Sequence, residues 1–353
     1  AFAVAFGLGG KEFAANVLKK VEECQESKEV HSMSDSLAPT KTKGYHSAKR
    51  KKTWALTSMV LPGAIWLVLL RYLPMFGIVL AFKDYQIYTR APTLFHNIQH
   101  SEWVGLKNFK FLFTTTDSWI MIRNTIGYNA LWIVLGIVIA VSFAVMLNEL
   151  TNRFVAKTYQ TLMFFPYFLS WVVASYFVQA FLDPTRGLIS NIQSNLGMEV
   201  TSWYNDSKPW PVILTIANLW KNVGYSTVLY LAAIAGIDST QYEAASIEGA
   251  NKWQQVWHIT IPNIRPMITI LFIMNVGKIF NADFGLFYNV PMNSGPLFPT
   301  TQVVDTYVYR ALMATSNPGM STAASLLQNV VGFICLMGAN TIIRKLDEES
   351  SLF

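Results

Sequence analysis

Six long apolar runs constrain this chain more than any other feature. They fall at about 54–82, 122–147, 157–182, 209–235, 264–288 and 320–343. Each is close to the roughly 20 residues a helix needs to cross the hydrocarbon core of a bilayer. The pattern predicts an all-α, polytopic membrane protein with six transmembrane helices. Composition supports this: of 353 residues, 52% are hydrophobic and only 14% are charged, too apolar a balance for an ordinary soluble domain.

The net charge of +6 comes largely from Lys and Arg in the termini and loops. In a membrane protein that reads as topology and anionic-lipid contact, not as nucleic-acid binding. Lys49-Arg50-Lys51-Lys52 precede the first run, Arg344-Lys345 follow the last, and Arg153 and Lys157 flank the loop between the second and third. With the N-terminus inside, all of these fall on one face, the positive-inside arrangement. Lys83, Arg90, Lys107 and Lys110 oppose it from the first outer loop. The asymmetry predicts both termini in the cytoplasm. Cys24 and Cys335 have neither metal-ligand nor disulfide-framework spacing, and no secretory signal peptide is evident.

Residues 1–53 read as an N-terminal cytoplasmic tail, 54–346 as the membrane domain and 347–353 as a C-terminal cytoplasmic tail. The chain opens at Ala1 without a methionine, so residues 1–32 are read as a leader that need not be native, with Met33 as an alternative start. Gly7-Leu8-Gly9-Gly10-Lys11 fails the phosphate-loop pattern, since Ala5 holds the first glycine position and Glu12 follows the lysine. Outside the bilayer, 83–121 offers Phe109, Phe111, Leu112 and Phe113 for packing on the bundle. Residues 183–208 are composed like a turn-rich loop. Residues 289–319, with Pro291, Pro296, Pro299 and Pro318, should be largely non-helical.

Between the fourth and fifth runs lies a polar segment, 238–262, with the signals of two short helices and a bend. Asp238-Ser239-Thr240 supply N-cap oxygens, and Thr240 with Glu243 has capping-box spacing. Gly249 can enter the left-handed region and close the first helix. Asn251 can cap a second, in which Trp253, Val256, Trp257 and Thr260 share a face, and Pro262 is expected to stop it. Ala244, Ala245 and Ala250 would let another surface approach closely. The result is a compact knuckle shaped to dock on something.

These residues carry a resemblance. Glu243-Ala244-Ala245, three residues, Gly249, nine residues, then Ile259 and Pro262 reproduce the hallmark loop of permease subunits of binding-protein-dependent ABC importers. Ile261 stands where leucine is usual. With Asn218-Leu219-Trp220-Lys221 before it and Asp305-Thr306-Tyr307-Val308-Tyr309-Arg310 after it, residues 54–346 resemble the oligo- and polysaccharide (including alginate) branch of the maltose-permease-like family.

The resemblance implies a type I ABC importer permease fold with a cytoplasmic coupling helix, in a bacterial cytoplasmic membrane. It implies partners: a second permease subunit, two ATPase subunits, an extracytoplasmic solute-binding protein and a sugar substrate. ATP and magnesium would be used by the ATPases, and this chain would bind no cofactor. Glu243, Ala244, Ala245, Gly249, Ala250, Ile259 and Pro262 would form the ATPase-coupling element. Trp253 and Trp257 are expected to anchor the knuckle to the bundle or to join the interfacial aromatic belt.

Within the spans, Asn218, Lys221, Asn222 and Tyr225 form one polar stripe at helical spacing. A lysine near mid-span costs about 2.5–3.5 kcal/mol on insertion scales, so Lys221 should face a bundle interior, a partner or a watered cavity. Asn275 and Lys278 share a face in the fifth run. These six would line a translocation path, with Trp171, Trp220 and Phe280 stacking on sugar faces; alternatively they are glue between helices. Lys221 and Lys278 would suit an anionic uronide, and neutral oligosaccharides stay open beside it. Two other classes compete. A secondary transporter or channel lacks support from the spaced loop and the six spans. An intramembrane enzyme lacks any nucleophile–base or metal motif, and His96 and His100, though at i, i+4, have no third ligand nearby.

Overall fold

The computed structural model describes residues 54, 57–86, 94–115, 117–315 and 317–346. The tails at 1–53 and 347–353, with Cys24, Met33 and the basic cluster at 49–52, lie outside the described residues. Contacts divide the chain into Ala1–Leu73 and Pro74–Phe353. In the first unit the helical residues from Thr57 to Leu73 expose their side chains throughout. They belong to α1 (Thr57–Phe82), a 26-residue apolar helix.

In the second unit a short antiparallel pair, β1 (Lys83–Asp84) and β2 (Glu102–Trp103), leads to α2 (Lys107–Thr114), α3 (Ser118–Asn148) and α4 (Arg153–Phe164). Then come α5 (Trp171–Leu182), α6 (Trp210–Ile234), α7 (Ser239–Ile247) and α8 (Lys252–Val276). The chain finishes with α9 (Phe284–Asn289), α10 (Val304–Thr315) and α11 (Pro318–Leu346). Apart from β1 and β2, the regular elements among the described residues are helical, as the apolar runs predict.

Four of these helices, α1, α3, α8 and α11, are long and apolar enough to cross a membrane. A bent pair of helices is apolar enough to join them only when its two pieces are taken together. The third run is not one helix: Arg153–Phe168 and Trp171–Leu182 meet at 103°. Pro166 tightens the end of the first piece into a 3-10 turn, and Ser170 accepts from the Val173 N–H to start the second. The fourth run becomes α6, 25 residues long but not among the four apolar enough, because its polar stripe dilutes it.

The fifth run also differs. Pro262 does not stop a helix; α8 passes through it from Lys252 to Val276. A π turn, Val256–Thr260, precedes the proline, with the Ile261 N–H reaching back to the Val256 carbonyl. This wider turn accommodates the missing N–H and the bulk of the ring. At its far end α8 breaks at Gly277 into turns, so 284–289 is the separate helix α9 and not a continuation. The outer segments hold more helix than their composition suggests. Leu188–Asn195 is helical within 183–208. Within 289–319, Pro296 and Pro299 fall at N1 or N2 of short helices and Pro318 opens α11, positions where a proline starts a helix instead of preventing one.

Packing centres on α6. Against α3 it buries Val223, Tyr230 and Ile234 on Ala140 and Ala144, both 0% exposed; small residues at this spacing let the helix axes approach. Against α4 the approach is closer still. A Cβ on Gly224 would fall onto the Met163 carbonyl group, so backbone meets backbone there. At the N-terminal end of α6 Tyr128, Trp132, Trp210 and Phe287 form an aromatic core. Of the α2 apolar residues, Leu112 is buried and Phe111 stacks on Tyr307, whereas Phe113 stays exposed. Asn108 ties this layer down, donating to the Ala81 and Lys83 carbonyls at 3.0 and 2.8 Å.

Gly224→Val should therefore destabilise the fold by at least about 3 kcal/mol, the upper range for overpacking a tight contact. The melting temperature of the detergent-solubilised chain measures it. Gly136→Val, at a position with nothing within 4 Å of the added Cβ, should change it far less.

Candidate functional site

The knuckle at 238–262 forms largely from local chemistry. Asp238, not Thr240, is the N-cap of α7: its carboxylate accepts from the Thr240 N–H at 3.0 Å. That bond and the Thr240 hydroxyl hold the Asp238 carboxyl below the usual range. At the other end Gly249 has φ +83. The Gly249 N–H reaches the Ser246 carbonyl and the Ala250 N–H the Ala245 carbonyl at 2.9 Å, the bond pair of a Schellman closure. Asn251 then caps α8 with a full capping box, exchanging bonds with Gln254.

The two arms of the knuckle are held together, and to the bundle, mostly by residues that the sequence pattern does not single out. Gln255, 4% exposed, donates to the Ser246 hydroxyl and the Ala250 carbonyl at 2.9 and 3.2 Å. The Tyr242 and Thr260 hydroxyls meet at 3.0 Å, and Lys252 pairs with Glu149 at 3.1 Å. That pair links the knuckle to the connection between α3 and α4. Trp253 and Trp257 do not anchor it: they are 68% and 55% exposed and lean on each other edge to face. Glu243, Ala244, Gly249 and Pro262 are exposed, while Ala245, Ala250 and Ile259 are half-buried. The outward surface thus carries a carboxylate, small side chains and Ile247, which is 88% exposed.

Between α3, α6, α8 and the turns after α8 lies a cleft of about 430 Å³. Five of the six residues expected along a path line it: Asn218, Asn222, Tyr225, Asn275 and Lys278. Asn129, Ser226, Asn281 and Asp283 join them, so the wall is rich in amides and hydroxyls that donate and accept hydrogen bonds. Asn129 stands out as polar within the second apolar run, a signal the sequence does contain. It donates to the Ile279 and Asn281 carbonyls at 2.9 and 3.0 Å. Lys278 is the one cation and Asp283 the one anion among the lining residues.

Lys221 is not among them. It lies around the side of α6, 8% exposed, and donates to the Tyr167 carbonyl at 2.8 Å. Its charge rests over the Tyr167 and Trp171 rings, 5.4 Å from each centroid. The three aromatics expected to stack on a ligand are also engaged elsewhere. Trp171 packs over Gly285 and donates its indole N–H to Asp283. Phe280 is buried in a core cluster, and Trp220 lines a separate apolar groove between α5 and α6. Tyr225 takes the aromatic place in the cleft.

The outer rim of the cleft hangs on Asp305. Its carboxylate accepts from the Ala282 N–H at 2.8 Å and from Gln328 at 3.1 Å, and Gln328 also donates to the Phe280 carbonyl. Burial nevertheless raises the Asp305 carboxyl above its usual range, outweighing the donors from Ala282 and Gln328. A raised folded-state value means the folded chain holds the proton more tightly than the unfolded one. That stabilising contribution is complete below the ordinary carboxylate value of about 4 and is lost as pH rises through the raised one. Asp305→Asn should flatten this fall in melting temperature above about pH 4, measured on the solubilised chain across pH.

Comparison with known proteins accords with this geometry. The model for the family of binding-protein-dependent transport system inner membrane components matches residues 132–337, which include α6, the knuckle and α8. The polygalacturonan/rhamnogalacturonan transport system permease protein YteP of Bacillus subtilis (strain 168) is 35% identical over 291 residues, 82% of this chain and 88% of that protein. A crystal structure of a bacterial ABC transporter involved in the import of the acidic polysaccharide alginate matches with TM-score 0.75 and 28% identity, over 86% of this chain and 99% of that one. A bacterial alginate ABC transporter in complex with an alginate pentasaccharide-bound periplasmic protein matches with TM-score 0.74 and 28% identity, over 85% and 97%. This chain belongs to the binding-protein-dependent transport system inner membrane components, the permease subunits of ABC importers.

Proposed function

We propose that this permease carries an oligosaccharide derived from an acidic polysaccharide through the cleft between α3, α6 and α8. The observation that carries the reading is the cleft wall. Asn129, Asn218, Asn222 and Asn275 place amides on long apolar helices and Asn281 adds one from the turns after α8, and on membrane helices such polar groups are costly unless they serve a cavity. Amides suit sugar hydroxyls, which both donate and accept. Lys278 supplies the positive charge for a carboxylate, with Asp283 limiting how many the cleft tolerates. The names of YteP and of the alginate importers point the same way.

In this reading the chain pairs with a second permease, receives its sugar from a solute-binding protein and takes its motion from two ATPases. The ATPases use ATP and magnesium; this chain holds no cofactor. The Glu243–Pro262 knuckle is the coupling element, seated in a groove on an ATPase, and both termini lie in the cytoplasm. Helix-in-groove contact transmits force while the helices behind it move as rigid bodies.

The test uses the complete importer reconstituted in vesicles, with an acidic oligosaccharide and its carboxyl-reduced analogue. Lys278→Met should raise KM for the acidic sugar by about tenfold, the worth of one hydrogen bond to a charged group, and leave KM for the neutral analogue nearly unchanged. Equal effects on both would remove the anionic substrate. Separately, Glu243→Lys should abolish ATP-driven uptake. Uptake that persists without ATP would instead assign the chain to secondary transport.

A further inference from the structure

The break in the third apolar run lies against the middle of α6, and its freed backbone needs partners there. Irregular backbone inside a membrane survives only where protein or a cavity satisfies it. Phe165–Phe168 turn as a 3-10 segment, and Leu169 and Ser170 are extended. The Tyr167 carbonyl thus leaves the helical ladder, and it receives the Lys221 ammonium at 2.8 Å. The same ammonium faces the rings of Tyr167 and Trp171. One charged group therefore holds three parts of the break: a carbonyl, the ring before it and the ring after it.

The consequence reaches the cleft through Tyr167. Its ring stacks on Tyr225 with centroids 4.6 Å apart and planes 12° from parallel, and Phe164 lies beside the pair, 5.8 Å from Tyr167 and 6.2 Å from Tyr225. Tyr225 is the ring of the three that lines the cleft, 40% exposed. On the other side, Trp171 bonds to Asp283, also a lining residue.

We propose that Lys221 is a positioning residue for transport. It fixes the helix break so that Tyr167 backs Tyr225 as a flat wall of the cleft, without itself touching the sugar. This rests on the cleft being the sugar's path. Lys221 would thereby set substrate affinity from a place the substrate never reaches.

The test again uses the complete reconstituted importer and compares KM with kcat for uptake of the acidic oligosaccharide. Lys221→Met should raise KM by up to about tenfold, the worth of one aromatic stack lost from the wall, with kcat within about twofold. Lys221→Arg, which keeps a cation and N–H donors, should restore KM. Tyr225→Ala should raise KM similarly, and adding Lys221→Met to it should add little, as expected for residues acting through one element. Should Lys221→Met fail to assemble, Tyr167→Leu keeps the carbonyl and the lysine and removes only the ring; it should raise KM in the same way. An unchanged KM in Tyr167→Leu, or in Lys221→Met where it assembles, overturns the proposal and leaves Lys221 a structural clamp. Additive effects also overturn it. An unchanged KM in Tyr225→Ala would instead reject the cleft as the sugar's path, and the proposal with it.

Discussion

The backbone contact between α6 and α4 at Gly224 sets the terms for the rest of the molecule. With no side chain between the two helices there, the break that follows α4 is brought within reach of Lys221, and Tyr167 within stacking distance of Tyr225. A face of α6 about 100° round from Gly224 packs on Ala140 and Ala144 of α3, and the amide-bearing face is left to the cleft. One helix thus serves three neighbours. Its low apolarity follows from that duty: Asn218 and Asn222 face a cavity and Lys221 a helix break.

Much of this was legible in the sequence wherever the cause is local. Apolar runs foretold the long helices because crossing hydrocarbon requires length and apolarity together. Gly249 and Asn251 foretold the knuckle because a left-handed closure and a capping oxygen act within a few residues. The amide-rich stripe of α6 was legible too, from spacing alone. What escaped depends on neighbours far along the chain. Lys221 lies about 60° around the helix from Asn218, near enough to share its stripe, and only the position of Tyr167 draws its side chain aside.

Prolines misled in two opposite ways, for one reason. Pro262 looked like a terminator, yet a π turn carries α8 past it; the prolines of 289–319 looked like helix breakers, yet several open helices. A proline forbids one hydrogen bond and crowds one carbonyl, and the surrounding chain decides whether that ends a helix, widens it or begins it. Trp253 and Trp257 show the complementary case. Their spacing fits a buried face, but Gln255 and Val256 take the buried positions and leave both indoles outside.

The passage of α8 through Pro262 has a mechanical consequence. Because the helix is continuous from Lys252 to Val276, the outward knuckle and the amide of Asn275 are opposite ends of a single lever about 37 Å long at 1.5 Å per residue. A tilt of about 5° about one end sweeps the other by about 3 Å over that length, roughly the span of a hydrogen bond. Its wide turn, Val256–Thr260, lies close to the knuckle, and Pro266 interrupts the hydrogen-bond ladder once more in the arm beyond it, so the yielding points sit in the knuckle half and the run from Met267 to Asn275 carries the displacement to the cleft.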